Sequence, residues 1–213
     1  MLDNQKFEEM CKHKSPGEWV GGQGWLDTAD MYQHLKTLYA LVYGFPDSPK
    51  ILEIGVSDGT SSLAFLKALD ERPDQPTPNL QSVDVSDCQQ LAIKSIEHFG
   101  YSNRWNFHLM TSDEYFANHQ ESKFNIILID GDHKYSGAKR DFDNAIKRLE
   151  PGGVILIHDS YMHQDHGEDG CSKLVYEIIM DNNFCCFTSP VLQNMTFIQR
   201  KSDVLARMEP WKK

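Results

Sequence analysis

The residues best equipped for chemistry fall in short runs, each following an apolar stretch. The first is Glu53-Ile54-Gly55-Val56-Ser57-Asp58-Gly59-Thr60-Ser61-Ser62, which continues Ile51-Leu52. A carboxylate there is costly to bury without a partner. Gly55 and Gly59 permit a tight turn and close approach of a ligand to the backbone. Ser61 and Ser62 open a helical pattern, whose free N–H groups and dipole favour an anion. The stretch therefore offers a carboxylate to a cationic or hydroxyl group and a helix start to a carboxylate. Asp84 closes a second apolar run, where an acid can accept both hydroxyls of a ribose or serve as a turn and capping residue. Ser112-Asp113 follow a third run and read either as pocket lining or as a helix cap. Two more segments, Ile129-Asp130-Gly131-Asp132-His133-Lys134-Tyr135 and Ile157-His158-Asp159-Ser160, gather carboxylates and imidazoles, the groups that move protons or hold cations.

The elements that must position these groups alternate in type. Strands are expected at 50–55, 80–85, 105–110, 124–129 and 154–157, with helices at about 61–70, 87–99, 113–119 and 135–149. The continuous apolar run Phe124 to Ile129 marks a central parallel strand. Pro151-Gly152-Gly153 reads as the turn into the fifth strand, and a proline-bearing loop spans Arg72 to Asn79. Met31, Leu35, Leu38, Tyr39 and Val42 form an amphipathic helix capped near Asp27 or Thr28. After the fifth strand a polar loop, a helix through Leu174 and Ile179, and two short strands near 184–188 and 195–200 complete the pattern. The fold expected is α/β: a doubly wound, Rossmann-like, seven-stranded, mostly parallel sheet with a C-terminal antiparallel hairpin. In such sheets ligands bind at the carboxyl ends of the strands, where Glu53, Asp84, Ser112-Asp113, Asp130 and His158-Asp159 all fall.

Residues 1–213 read as one domain, with a core at 49–200 and an N-terminal segment, 1–48, that begins as either an active-site flap or a docked tail. A net charge of −10 argues against a nucleic-acid backbone as partner. No apolar run approaches membrane-spanning length, and the polar start shows no signal peptide. The five cysteines have neither disulfide-scaffold nor zinc spacing, so reduced thiols in the cytoplasm are expected. Oligomeric state, a homodimer included, is not legible.

The glycines read G-x-x-x-G with Glu53 before them, not the G-x-G-x-x-G of a dinucleotide site. Together with Val83-Asp84-Val85, Ile129-Asp130-Gly131-Asp132-His133-Lys134-Tyr135 and Pro151-Gly152-Gly153 through His158-Asp159-Ser160, this resembles class I S-adenosylmethionine (SAM) methyltransferases of the I-D-G-D-H-x-Y group, relatives of metal-dependent small-molecule O-methyltransferases. The resemblance covers about residues 50 to 160. It implies methyl transfer from SAM to a hydroxyl of a small molecule, of sugar or other natural-product type. It implies that Glu53, Gly55, Ser57, Asp58, Gly59 and Ser61 hold the methionine part of SAM, Asp84 the ribose, and Val85, Ser112 and Asp113 the adenine, with Asp130 also facing the cofactor. In the relatives the positions of Asp130, His158 and Asp159 bind a divalent cation, Mg²⁺ or a transition metal, and the position of His133 is the general base beside Asp130. The pair His158-Asp159 departs from the Asp-Asn or Glu-Asp usual there. That departure motivates a second reading, a non-catalytic SAM-binding or partner protein. A metal phosphoesterase built on Asp130, Asp132, His133, His158 and Asp159 is a third.

Overall fold

The computed structural model describes residues 31, 34–72, 79–86, 89–160, 170–189 and 194–208. Seven strands form one sheet: β1 (Ile51–Ile54), β2 (Leu80–Asp84), β3 (Trp105–Leu109), β4 (Phe124–Ile129), β5 (Leu149–Ile157), β6 (Phe184–Thr188) and β7 (Thr196–Arg200). Their order is β3-β2-β1-β4-β5-β7-β6. The first five pair in parallel, and only β7 runs against its neighbours β5 and β6. The described helices are α1 (Leu35–Tyr43), α2 (Thr60–Asp70), α3 (Gln89–His98), α4 (Ser112–Asn118), α5 (Tyr135–Arg148), α6 (Gly170–Met180) and α7 (Lys201–Met208).

Alternation along the strands sorts the apolar side chains into two cores. Ile51, Leu80, Ile126, Leu128, Val154 and Leu156 face α1 and α2. Leu52, Ile54, Val83, Ile127, Ile129, Ile155 and Ile157 face α4, α5 and α6. Period-two direction with apolar residues at both parities is what a strand covered on both faces requires. On α5, Ala138, Phe142 and Ala145 recur at helical spacing and supply its buried stripe. The register sets Ile54 beside both Val83 and Ile129, and Ile129 beside Ile157. The carboxyl ends of β1, β2, β4 and β5 therefore share one rim.

Two stretches differ from the sequence expectation. Pro151-Gly152-Gly153 is not a turn but lies within β5, because Leu149 pairs with Phe124 before the register shifts ahead of Ile126 and Val154. Helix α7, which the pattern did not announce, grips that irregularity. Gly152, at φ +76°, donates its N–H to Asp203 at 2.9 Å, and Arg207 donates to its carbonyl at 2.9 Å. The expected caps Asp27 and Thr28, the N-terminal flap and the polar residues His163, Asp165, His166, Glu168 and Asp169 lie outside the described residues.

Candidate functional site

The turn after β1 is built around an enclosed acid. Glu53 is fully buried, and its carboxylate accepts hydroxyl hydrogens from Ser61, from Ser62 at 2.6 Å and from Ser82 at 2.5 Å. Burial pushes its carboxyl up to about 7, although the three hydroxyls pull the other way. The sequence suggested that Glu53 and the serines would face a ligand; in the structure the hydroxyls of Ser61 and Ser62 turn to the carboxylate. Ser82 was missed. Its signal was available, since it is the residue that β2 sets directly beside Glu53. Trp105 donates its indole N–H to Ser82 at 2.9 Å and completes the cage.

Gly55 carries the turn toward β4. Its φ is +90°, and a Cβ there would stand 2.0 Å from the Asp130 carbonyl oxygen. No other residue fits both the angle and the gap. Ser57 is left-handed too, at φ 48°. The amides of Val56 and Ser57 donate to Asp84 at 2.8 and 3.1 Å. Burial raises the Asp84 carboxyl, but the amides of Ser86, Val56 and Ser57 outweigh it and hold the acid below its usual range. Asp58 accepts from the backbone N–H of Thr60 at 3.1 Å and its hydroxyl at 2.7 Å, so it braces the entry to α2, whose N-cap is Gly59. Just beyond β2, Val85 is 70% exposed.

At the end of β3 the cap is Thr111, in a reciprocal capping box with Glu114. Ser112 and Asp113 are held by α5: the Ser112 hydroxyl donates to Asp141, and Asp113 pairs with Arg140 at 2.9 Å.

The ends of β4 and β5 bring four groups together. His133 lies 3.4 Å from Asp130 and 3.1 Å from Asp159. His158 lies 3.0 Å from Asp130 and 3.6 Å from Asp159, through Nδ1 in both cases. The His133 side chain is 32% exposed and that of His158 only 3%. Burial disfavours the His158 imidazolium, but the Asp130 and Asp159 carboxylates overcome it and raise the ring above its ordinary value. The hydrogen bond to Asp130 raises His133 likewise. Conversely, burial raises Asp130, and the two histidines more than reverse this. Two buried polar atoms here have no hydrogen-bond partner among the described residues, Nε2 of His158 and Oδ1 of Asp159. Asp159 also sits at φ 50°, a strained conformation for a non-glycine. Ligand atoms of Asp130, His133 and Asp159 all fall within 4.8 Å of one another, a spacing one cation can bridge. Asp132 stays out of this cluster. It accepts from the Lys134 amide at 3.1 Å, and a Cβ on Gly137 would stand 2.3 Å from its Oδ2. A phosphoesterase arrangement that enlists Asp132 therefore lacks one of its carboxylates. Sequence reading also overlooked His34, fully buried at the start of α1, whose ring meets His158 edge-on at 5.3 Å.

Comparison with known proteins gives a consistent picture. A family model described as a methyltransferase domain matches residues 52–160, just over half of the chain. Among curated proteins, the uncharacterised protein y4gI of Sinorhizobium fredii is 38% identical over 48 residues, 22% of this chain and 5% of that protein. The chain thus spans about a twentieth of that relative's length. Among solved structures, the S-adenosylhomocysteine (SAH)-bound methyltransferase PaMTH1 of Podospora anserina superposes with TM-score 0.66 at 17% identity, over 92% of this chain and 87% of that one. An O-methyltransferase of Bacillus cereus in complex with SAH gives TM-score 0.65 at 17% identity, over 93% and 90%. These two likenesses are of fold.

Proposed function

Since the chain belongs to the methyltransferase-domain family, we propose that it is a class I SAM-dependent methyltransferase that methylates a hydroxyl of a small molecule, of sugar or other natural-product type. The observation that carries this is the rim. Asp84 stands across the Gly55–Gly59 turn with its carboxylate fixed by that turn's amides, and the Asp130 cluster lies against the other side of the same turn. A nucleoside held by Asp84 and a methionine moiety lying along the turn would point the sulfonium at the cluster. Val85 and the first turn of α4, at Ser112 and Asp113, would border the adenine, while Glu53 and Ser61 shape the turn from beneath. The described thiols Cys171, Cys185 and Cys186 are free, in keeping with a reducing cytoplasmic setting.

Methyl transfer is an in-line displacement, and much of the barrier falls when the two reactants are held in line. The acceptor oxygen must also lose its proton. His133 is the exposed imidazole of the cluster and takes the base role; buried His158 donates from Nδ1 to Asp130 and fixes that carboxylate. A divalent cation also suits the donor set, because Asp159 Oδ1 is a buried acceptor without a partner among the described residues and an imidazole beside carboxylates favours a first-row transition metal over Mg²⁺. Asp130, Asp159 and the imidazole of His158, as in the relatives' pattern, would hold it and leave His133 as the base; were His133 the third ligand, as its spacing allows, its ring would give up the base role. Such an ion, when bound, supplies Lewis acidity that lowers the acceptor hydroxyl's pKa.

Titration calorimetry with SAH is the test of the cofactor. Binding is expected in the micromolar range or tighter, weakened about tenfold or more by Asp84→Asn, as befits loss of a charged hydrogen-bond acceptor. No heat at millimolar SAH would sink the assignment. Binding without turnover over a broad panel of hydroxyl acceptors would instead favour the non-catalytic reading. Full turnover in excess chelator would leave His133 as the base and remove the cation.

A further inference from the structure

One buried carboxyl has no part in the chemistry so far. Asp141 lies on the inner face of α5 and is 2% exposed. Its Oδ1 accepts the Ser112 hydroxyl. Its Oδ2 would stand 3.8 Å from a Cβ placed on Gly131, so the carboxylate faces the backbone that follows Asp130 across the space a side chain there would fill. Ser112 opens α4 at the end of β3, whereas Gly131 opens the loop that carries His133. These two segments sit on opposite sides of the β1 turn, since the sheet order places β3 and β4 on either flank of β2-β1. A short acidic side chain from a third element thus bonds one end of the proposed cleft and faces the other.

We propose that Asp141 is a positioning residue that couples the Ser112 end of the cleft, where the adenine would lie, to the Asp130–His133 loop, where the methyl group would be transferred. The inference rests on the cofactor reading above. The surroundings fit a strut and not a ligand-binding acid. Burial pushes the Asp141 carboxyl up to about 6, the Ser112 hydroxyl and Arg140 oppose this, and Asp113 and Asp132 add to it. An acid kept so far from water and facing two other acids is expensive. A propping role that needs a short, rigid acceptor gives that expense a purpose. Arg140, the next residue on α5, binds Asp113 at 2.9 Å, so consecutive α5 side chains hold consecutive residues of α4.

The test pairs SAH calorimetry with ¹H–¹⁵N resonances of the Gly131 and His133 amides, in Ser112→Ala, Asp141→Asn, Asp141→Ala and the Ser112→Ala/Asp141→Ala double variant. Ser112→Ala alone is expected to move the Gly131 amide in the free protein, with Asp141 the side chain that lies between the two. Asp141→Ala is expected to weaken SAH about tenfold, Asp141→Asn, which keeps the acceptor oxygen, less than threefold, and the double variant no more than Asp141→Ala. A Gly131 resonance unmoved by Ser112→Ala, or single effects that multiply in the double variant, would overturn the coupling. Absence of SAH binding by the wild-type protein would overturn the cofactor reading instead, and the Gly131 resonance in the free protein would still decide the role of Asp141.

Discussion

At the scale of single residues, the site is organised by groups that hold one another. Glu53 is the clearest case. Its carboxyl rises from the model-compound 4.5 to about 7 on folding, through burial. The folded state therefore binds a proton more tightly than the unfolded chain. Glu53's contribution to stability is fully present below pH 4.5 and is lost as pH rises through about 7. The full swing is on the order of 3 kcal/mol. Denaturant midpoints of the wild type and Glu53→Gln from pH 4 to 8 check this: the difference between them should change across that window in favour of Glu53→Gln at the alkaline end. His133 makes the opposite kind of statement, about rate. Asp130 raises its pKa, and an imidazolium cannot take a proton. The pH–rate profile should therefore climb with an ascending limb displaced above 6.5, the ordinary histidine value, and His133→Ala should abolish that limb while lowering kcat by about 10²–10⁴. Gly55→Ala should cost upwards of 3 kcal/mol, because both the angle and the 2.0 Å approach to Asp130 forbid a methyl group; thermal denaturation would show it.

Elements were legible where a pattern is local. The apolar runs of β1 through β4 and the helical stripes of α1 and α5 announce themselves by period. Pro151-Gly152-Gly153 misled, because these residues ordinarily punctuate. Here the chain pairs on either side of them across a register shift, and the partners that hold the shifted segment, Asp203 and Arg207, come from a helix that follows the last strand. No local signal links residues so distant in sequence. Asp203→Ala with Arg207→Ala should lower stability by about 1–3 kcal/mol, the usual cost of orphaning a backbone donor and acceptor, with amide exchange quickened around Gly152. The site was legible to the same extent. The acids at strand ends were readable one by one. The enclosure of Glu53, the packing of His34 on His158 and the reach of Asp141 from α5 were not, since each depends on side chains that meet only through tertiary structure.

For the whole molecule, two apolar cores clamp one sheet, and no described helix is long and apolar enough to cross a membrane. Ligand and fold stability are then linked. SAH at a hundredfold above its dissociation constant should add about 2.7 kcal/mol, or roughly 5–10 °C in the melting temperature of a chain of this size. A thermal shift scan reads it directly, and Asp84→Asn, binding about tenfold more weakly, should lose about half of the gain at the same SAH concentration.

The double-faced sheet carries a further consequence. Ile126-Ile127-Leu128-Ile129 would present oil to both cores however far it slid along its neighbours. Grease cannot tell this strand where to stop. The stops are polar and sterically narrow: the notch at Gly55 that admits only the Asp130 carbonyl, and the caged acid that nails β1 to β2 through Ser82. The turn proposed to carry the cofactor thus doubles as the detent of the whole sheet, and a sequence that abandoned that role would have to find its alignment again by other means.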